Sequence, residues 1–190
     1  MKTTLLKKDD YKRMPWKNGL GTTTQILIDP PQSSIAENFN WRLSSADVAT
    51  NGLFSTYLGY DRFLTVLDGQ GFNLKIQDKV LEIKKHEVIK FSGDAIVNCE
   101  LIDGKITDLN FIFKSDFKNV HFKIFKSSQN FNLTKGNFII TSLTGSLQIS
   151  IDDKSTQFVD IFETFVLNSD ENFLIKISTD SEFALIKIIS

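Results

Sequence analysis

The sequence predicts an all-β protein built from two similar antiparallel halves. Three observations carry that prediction. Apolar and polar residues alternate with period two along most of the chain, turn residues interrupt the alternation about every eight to twelve positions, and the second half repeats the order of the first.

Taken in order, the alternation places strands over residues 22–28, 41–48, 61–67, 72–76, 80–83, 88–91, 96–101 and 105–113. It places further strands over 120–125, 138–143, 146–151, 158–165, 173–178 and 183–189. No stretch sustains a helical period. Short strands without intervening helices are the pattern of an antiparallel sandwich or barrel. Asn51-Gly52, Asp68-Gly69, Asp103-Gly104 and Asp152-Asp153 read as hairpin turns, and Pro30-Pro31 with Gln32-Ser33-Ser34 reads as a loop between two early strands.

The repeat is visible in one stretch of each half. Leu67-Asp68-Gly69 leads through 72–76 to Asp78-Lys79, then to Glu87 and Phe91. Leu143-Thr144-Gly145 leads through 147–151 to Asp153-Lys154, then to Glu163 and Leu167, at an offset of about 75–76 residues. A division into halves 1–115 and 116–190 follows, and the two are expected to pack as one compact unit. Each half resembles a cupin in its rhythm of glycine, strand, tight turn, strand, acidic turn and strand. That resemblance implies a jelly-roll barrel twice over, a bicupin. The metal-binding pattern of cupins, two histidines two apart followed by a glutamate, is absent. His86 reads as an exposed turn histidine.

Composition narrows the function. With 41% apolar and 24% charged residues, the 190-residue chain can bury a core and is not disordered. A net charge of −1 with dispersed basic residues disfavours nucleic-acid binding. No apolar run reaches the roughly 18 residues of a membrane span. Residues 1–10 are polar, unlike a secretion signal. A single cysteine, Cys99, fits a reducing compartment, so a cytoplasmic location is expected. Seventeen phenylalanines stand against two histidines, His86 and His121, too few for a histidine-rich metal centre. Neither a metal nor another cofactor is expected.

Three segments carry a chemical signal. In the first, residues 14–23, Gly19 and Gly21 allow close backbone approach, Lys17 can pair with a carboxylate, and the Asn18 amide both donates and accepts. An equally good reading is a turn at Asn18-Gly19 with Trp16 packed nearby. In the second, residues 41–47, alternation puts Trp41, Leu43 and Ser45 on one face and Arg42, Ser44 and Ala46 on the other. Arg42 and Ser44 form an anion-binding pair if that face points inward, and a solvated pair if it points outward. In the third, residues 107–113, Asp108 and Asn110 lie opposite Leu109, Phe111 and Phe113, with the same two outcomes.

Together the segments resemble the HutD/Ves family. The motifs are Arg-Met-Pro-Trp-Lys-Asn-Gly from Arg13, Trp-Arg-Leu-Ser-Ser-Ala-Asp-Val from Trp41, and Asn-Gly-Leu-Phe-Ser-Thr-Tyr-Leu-Gly-Tyr-Asp-Arg from Asn51. Leu-Asp-Gly from Leu67 and Thr-Asp-Leu-Asn from Thr107 complete the set. The resemblance implies a bicupin without metal-binding histidines. It places Trp16, Lys17, Asn18, Gly19, Arg42, Ser44, Arg62, Asp108 and Asn110 on motif positions. It also implies a link to histidine utilisation or stress response, with an acyl amino acid from histidine breakdown as the suggested ligand. Leu20, Thr24-Gln25, Leu58 and Lys114 depart from the family pattern, and Thr24 stands where an arginine is frequent.

Three functions are compatible with these readings. The first, which is favoured, is a small-molecule-binding and regulatory bicupin. Lys17 and Arg42 would hold a carboxylate, while Asn18 and Asn110 would fix an amide or carbonyl. The second is a metal-free isomerase, lyase or hydrolase with Asp108 as base and Lys17 as acid or electrophile. Cys99 has no neighbouring base and is not a nucleophile in this reading. The third is an interaction module whose phenylalanine-rich stretch 111–125 forms a subunit interface, as in a homodimer.

Overall fold

The computed structural model describes residues 1–16, 21–34 and 38–189. Among them the chain forms nineteen strands, a 3-10 turn at Lys8–Asp10 and no α-helix. It divides into two compact units. One is Tyr11–Asp116; the other is Met1–Asp10 with Phe117–Ser190. The sequence division at 115/116 therefore misplaces the first ten residues. Strand β1 (Lys2–Leu6) pairs along its whole length with β17 (Thr164–Ser169), near the other end of the chain.

The unit Tyr11–Asp116 holds β2 (Lys12–Pro15), β3 (Gly21–Asp29), β4 (Trp41–Val48), β5 (Gly52–Leu53) and β6 (Tyr60–Asp68). It continues through β7 (Phe72–Ile76), β8 (Lys79–Ile83), β9 (Val88–Ser92), β10 (Val97–Leu101) and β11 (Ile106–Lys114). Its two antiparallel sheets have the orders β2-β3-β4-β11-β6-β9 and β5-β10-β7-β8. Alternation decides what each strand buries. Leu64 and Val66 of β6, Phe72 and Leu74 of β7, and Val97 and Cys99 of β10 share one core with Val48, Ile83, Phe91 and Ile106.

The other unit adds β12 (Asn119–Phe125), β13 (Gln129–Leu133), β14 (Gly136–Ser142), β15 (Leu147–Ile151), β16 (Ser155–Val159), β18 (Phe173–Ser178) and β19 (Phe183–Ile189). Its sheets are β1-β17-β14-β19-β12 and β13-β18-β15-β16. The order β12-β19-β14-β17 reproduces β4-β11-β6-β9, and β13-β18-β15-β16 reproduces β5-β10-β7-β8. The duplication read from the sequence is thus a duplication of topology.

Several local expectations change. The stretch 158–165 is two strands, because Phe162 adopts φ 60° and Glu163 N–H donates to Asp160 O at 2.9 Å, closing a turn between β16 and β17. Asp152 and Asp153, at φ 47° and 56°, do make the expected tight hairpin, with Lys154 N–H on Ile151 O. Asp68-Gly69 and Asp103-Gly104 instead carry the chain from one sheet to the other. Gly69 holds φ +92°, and a Cβ there would lie 2.6 Å from Lys105 O. Gly52 is itself in a strand, paired with Cys99. His86 sits in a turn at φ 63°, as expected, but is half-buried.

Candidate functional site

Strand β11 runs between β4 and β6, and their register assembles the site. Ile112 pairs with Arg42 on one side and Arg62 on the other. The next rung on the same face is Ser44, Asn110 and Leu64; the next is Ala46, Asp108 and Val66. Two guanidinium groups thus start from strands flanking one residue, about 10 Å apart at the backbone. Asp108 starts two rungs along. This face turns inward: Arg42 is 2% exposed, Ser44 2%, Arg62 5% and Asp108 4%. Together with Trp16 and Asn110 these side chains line a cavity of about 420 Å³. Arg42 and Ser44, and Asp108 and Asn110, are therefore not solvated strand pairs.

Each charged group is held differently. Arg62 Nη1 donates to Ser55 O at 3.2 Å, and Nε reaches Asn110 Oδ1 at 3.4 Å. Its guanidinium lies 5.1–5.6 Å from the ring centres of Phe91, Phe54 and Tyr57. Arg42 Nε donates to Gln25 Oε1 at 2.9 Å, while its buried Nη2 has no partner among the described residues. Asp108 Oδ1 accepts the Ala46 N–H at 2.9 Å. Burial pulls both arginines below the ordinary guanidinium value, opposed by Tyr57 and Asp108. They remain cationic at neutral pH. Burial lifts Asp108 to about 7, against the Ala46 hydrogen bond and the attraction of Arg62 and Arg42. It also pushes the Cys99 thiol up to about 12, a poor nucleophile.

At the side of the cavity, Trp16 N–H donates to Gly21 O at 2.9 Å, and the indole Nε1–H donates to Thr23 Oγ1 at 2.8 Å. Lys17, Asn18 and Gly19 lie outside the described residues. The cavity wall also includes Thr23, Phe54, Ser55 and Tyr57, none of which is among the candidate site residues of the sequence. For Phe54, Ser55 and Tyr57 the signal is the hydroxyl- and aromatic-rich run 54–57 just before Arg62.

Among the described residues the second unit carries no equivalent set, and the positions of Arg42 and Ser44 are taken there by the exposed His121 and Lys123. On its matching rungs Phe138 replaces Arg62, Leu185 replaces Asn110 and Phe183 replaces Asp108. These belong to a continuous apolar core with Ile140, Leu147 and Ile149. Among the described residues, no three His, Cys, Asp or Glu side chains cluster as metal ligands. Among the described residues no helix is long and apolar enough to cross a membrane.

Duplicated jelly-roll topology in two compact units defines a bicupin fold. A cupin 2 conserved barrel domain protein from Leptotrichia buccalis superposes with a TM-score of 0.58 at 14% identity, covering 93% of this chain and 96% of that one, a likeness of fold. The chain belongs to the HutD family, whose model matches residues 8–185. It is 30% identical over 187 residues to an uncharacterised 21.2 kDa protein in the hutC 3′ region of Pseudomonas putida, covering 98% of this chain and 97% of that one. It is 35% identical over 112 residues to protein Ves of Citrobacter koseri, covering 56% and 57%. A conserved protein of unknown function from Pseudomonas aeruginosa PAO1 superposes over 100% of both chains with a TM-score of 0.93 at 26% identity. HutD from Pseudomonas fluorescens SBW25 superposes with a TM-score of 0.85 at 27% identity, over 99% of this chain and 98% of that one.

Proposed function

We propose that this protein binds a small carboxylate-bearing metabolite in the cavity of the Tyr11–Asp116 unit, without a metal, and acts as a sensor or regulator. The observation that carries the reading is Arg42. A buried guanidinium with an unpartnered Nη2 on a cavity wall is destabilising until an anion occupies it. Arg62 adds a second positive charge, and Ser44 and Asn110 supply neutral polar groups for an amide or carbonyl. The volume suits a ligand of modest size. An acylated amino acid meets these demands, and a role in histidine utilisation or stress response is what the HutD/Ves resemblance implies. Lys17 and Asn18 enter this reading on the family motif alone. A thermal-shift panel of short carboxylates and acyl amino acids, histidine breakdown products included, tests it. A ligand at 100 times its Kd stabilises by about 2.7 kcal/mol. No shift across the panel sinks the reading.

Asp108 favours a second reading, a proton-transfer enzyme acting on a small polar metabolite. Its carboxyl titrates near neutral pH on the cavity wall, as a general base must. If turnover of any panel compound is found, Asp108→Asn should reduce it by orders of magnitude. An unchanged rate removes Asp108 from that role.

A further inference from the structure

We infer that the cavity takes up its anionic ligand together with one proton, which Asp108 carries. The inference rests on the anion-binding reading and deepens it. Asp108 is buried on the cavity face of the central strand, and among the described residues its one side-chain hydrogen bond comes from the Ala46 N–H. Among the described residues, the charged and titratable groups that act on it are Arg42 and Asp47 from β4, Arg62 from β6 and Cys99 from β10, and Tyr57, from the segment after β5, shares the cavity wall. Neither arginine makes an ion pair with it; both act through space, and Asp47 opposes them.

A carboxylate docking on the free Nη2 of Arg42 brings a like charge into the same enclosed space and expels water from it. Both effects disfavour the ionised form of Asp108. The proton comes from solvent and bonds to a carboxylate oxygen of Asp108; no other bond is made or broken. The resulting carboxylic acid has an O–H to donate to a ligand oxygen. Burial already holds the empty site close to this state, since Asp108 titrates at about 7. The ligand class follows: an anion without an ammonium group, because an ammonium would hold Asp108 ionised and expel the proton.

Isothermal titration of the full chain with acetate and with N-acetylglycine tests this, at pH 8, in Tris and in triethanolamine. The two buffers differ in protonation enthalpy, so the difference in observed heat counts protons. The expected result is uptake close to one proton per ligand, with affinity falling about tenfold per pH unit above pH 8. Asp108→Asn should bind without proton uptake and with a flat pH profile. Wild-type binding with no uptake, or with release, overturns the inference and leaves anion binding standing. Uptake that persists in Asp108→Asn also overturns it. Failure of both probes to bind at any pH overturns the anion-binding reading and this inference together.

Discussion

Arg42 reaches across β3 to Gln25, whose Oε1 accepts its Nε–H at 2.9 Å, and this contact leaves Nη2 buried and unpartnered on the cavity wall. The β3–β4 register shifts between Gln25 and Leu27, so Gln25 pairs with Ser44 while Ile28 pairs with Arg42. Gln25 thereby fixes the direction of a side chain that the strand pattern alone leaves free.

Arg42→Met keeps an apolar stem and deletes the guanidinium. Removing an uncompensated buried charge should leave the unliganded chain as stable as wild type or more stable, since buried charges are stabilising only when fully paired. The stabilisation by carboxylate ligands should vanish. Urea unfolding with and without ligand checks both halves of this expectation.

Arg62→Met should behave in the opposite way. This arginine is bonded to Ser55 O and Asn110 and lies against Phe54, Tyr57 and Phe91. Losing those contacts should lower unfolding free energy by about 2 kcal/mol even without ligand. The same urea titrations measure it. Equal behaviour of the two variants contradicts the division of labour between the arginines.

Asp108→Asn isolates one titration. The unfolded carboxyl loses its proton near 3.8, whereas the folded one keeps it to about 7. Between those values the folded state binds more protons than the unfolded state, so this group's contribution to stability falls as pH rises and is constant above about 7. The shift corresponds to something on the order of 4 kcal/mol. The variant should therefore exceed wild type in stability at pH 8, with the gap closing towards pH 4. Thermal unfolding at a series of pH values gives the difference curve.

Gly21→Ala should disturb the cavity wall. An added Cβ would sit 2.6 Å from Asp47 O and 2.8 Å from the Trp16 ring, so the indole or the strand must move. A loss of about 1–3 kcal/mol is expected. A change in Trp16 fluorescence, read in a Trp41→Phe background, should accompany it.

Much of this was legible in the residues. Strands 41–48, 72–76, 173–178 and 183–189 match residue for residue: 72–76 and 173–178 alternate, and 41–48 and 183–189 begin and end on apolar residues. Strands β1, β2, β5 and β13 lie outside the expected set: all four are at sheet edges and bury little, so the burial pattern marks them weakly. The grouping of Arg42 with Ser44 and of Asp108 with Asn110 followed from period two. Their inward direction did not, since β4 and β11 also bury the opposite face at Leu43, Leu109, Phe111 and Phe113. The role of Gln25 was hidden because alternation does not show which strands pair, and it is the β3–β4 pairing that sets Gln25 opposite Ser44 and beside Arg42. The absence of a site in the second half could be read from its apolar strands only once the register equated Arg62 with Phe138 and Asp108 with Phe183.

The most direct test of the central claim is a crystal structure of the protein grown with the carboxylate that stabilises it most. The account predicts a carboxylate oxygen within hydrogen-bonding distance of Arg42 Nη2, inside the cavity of the Tyr11–Asp116 unit. A ligand bound elsewhere, or one that fills the cavity without touching Arg42, would contradict it.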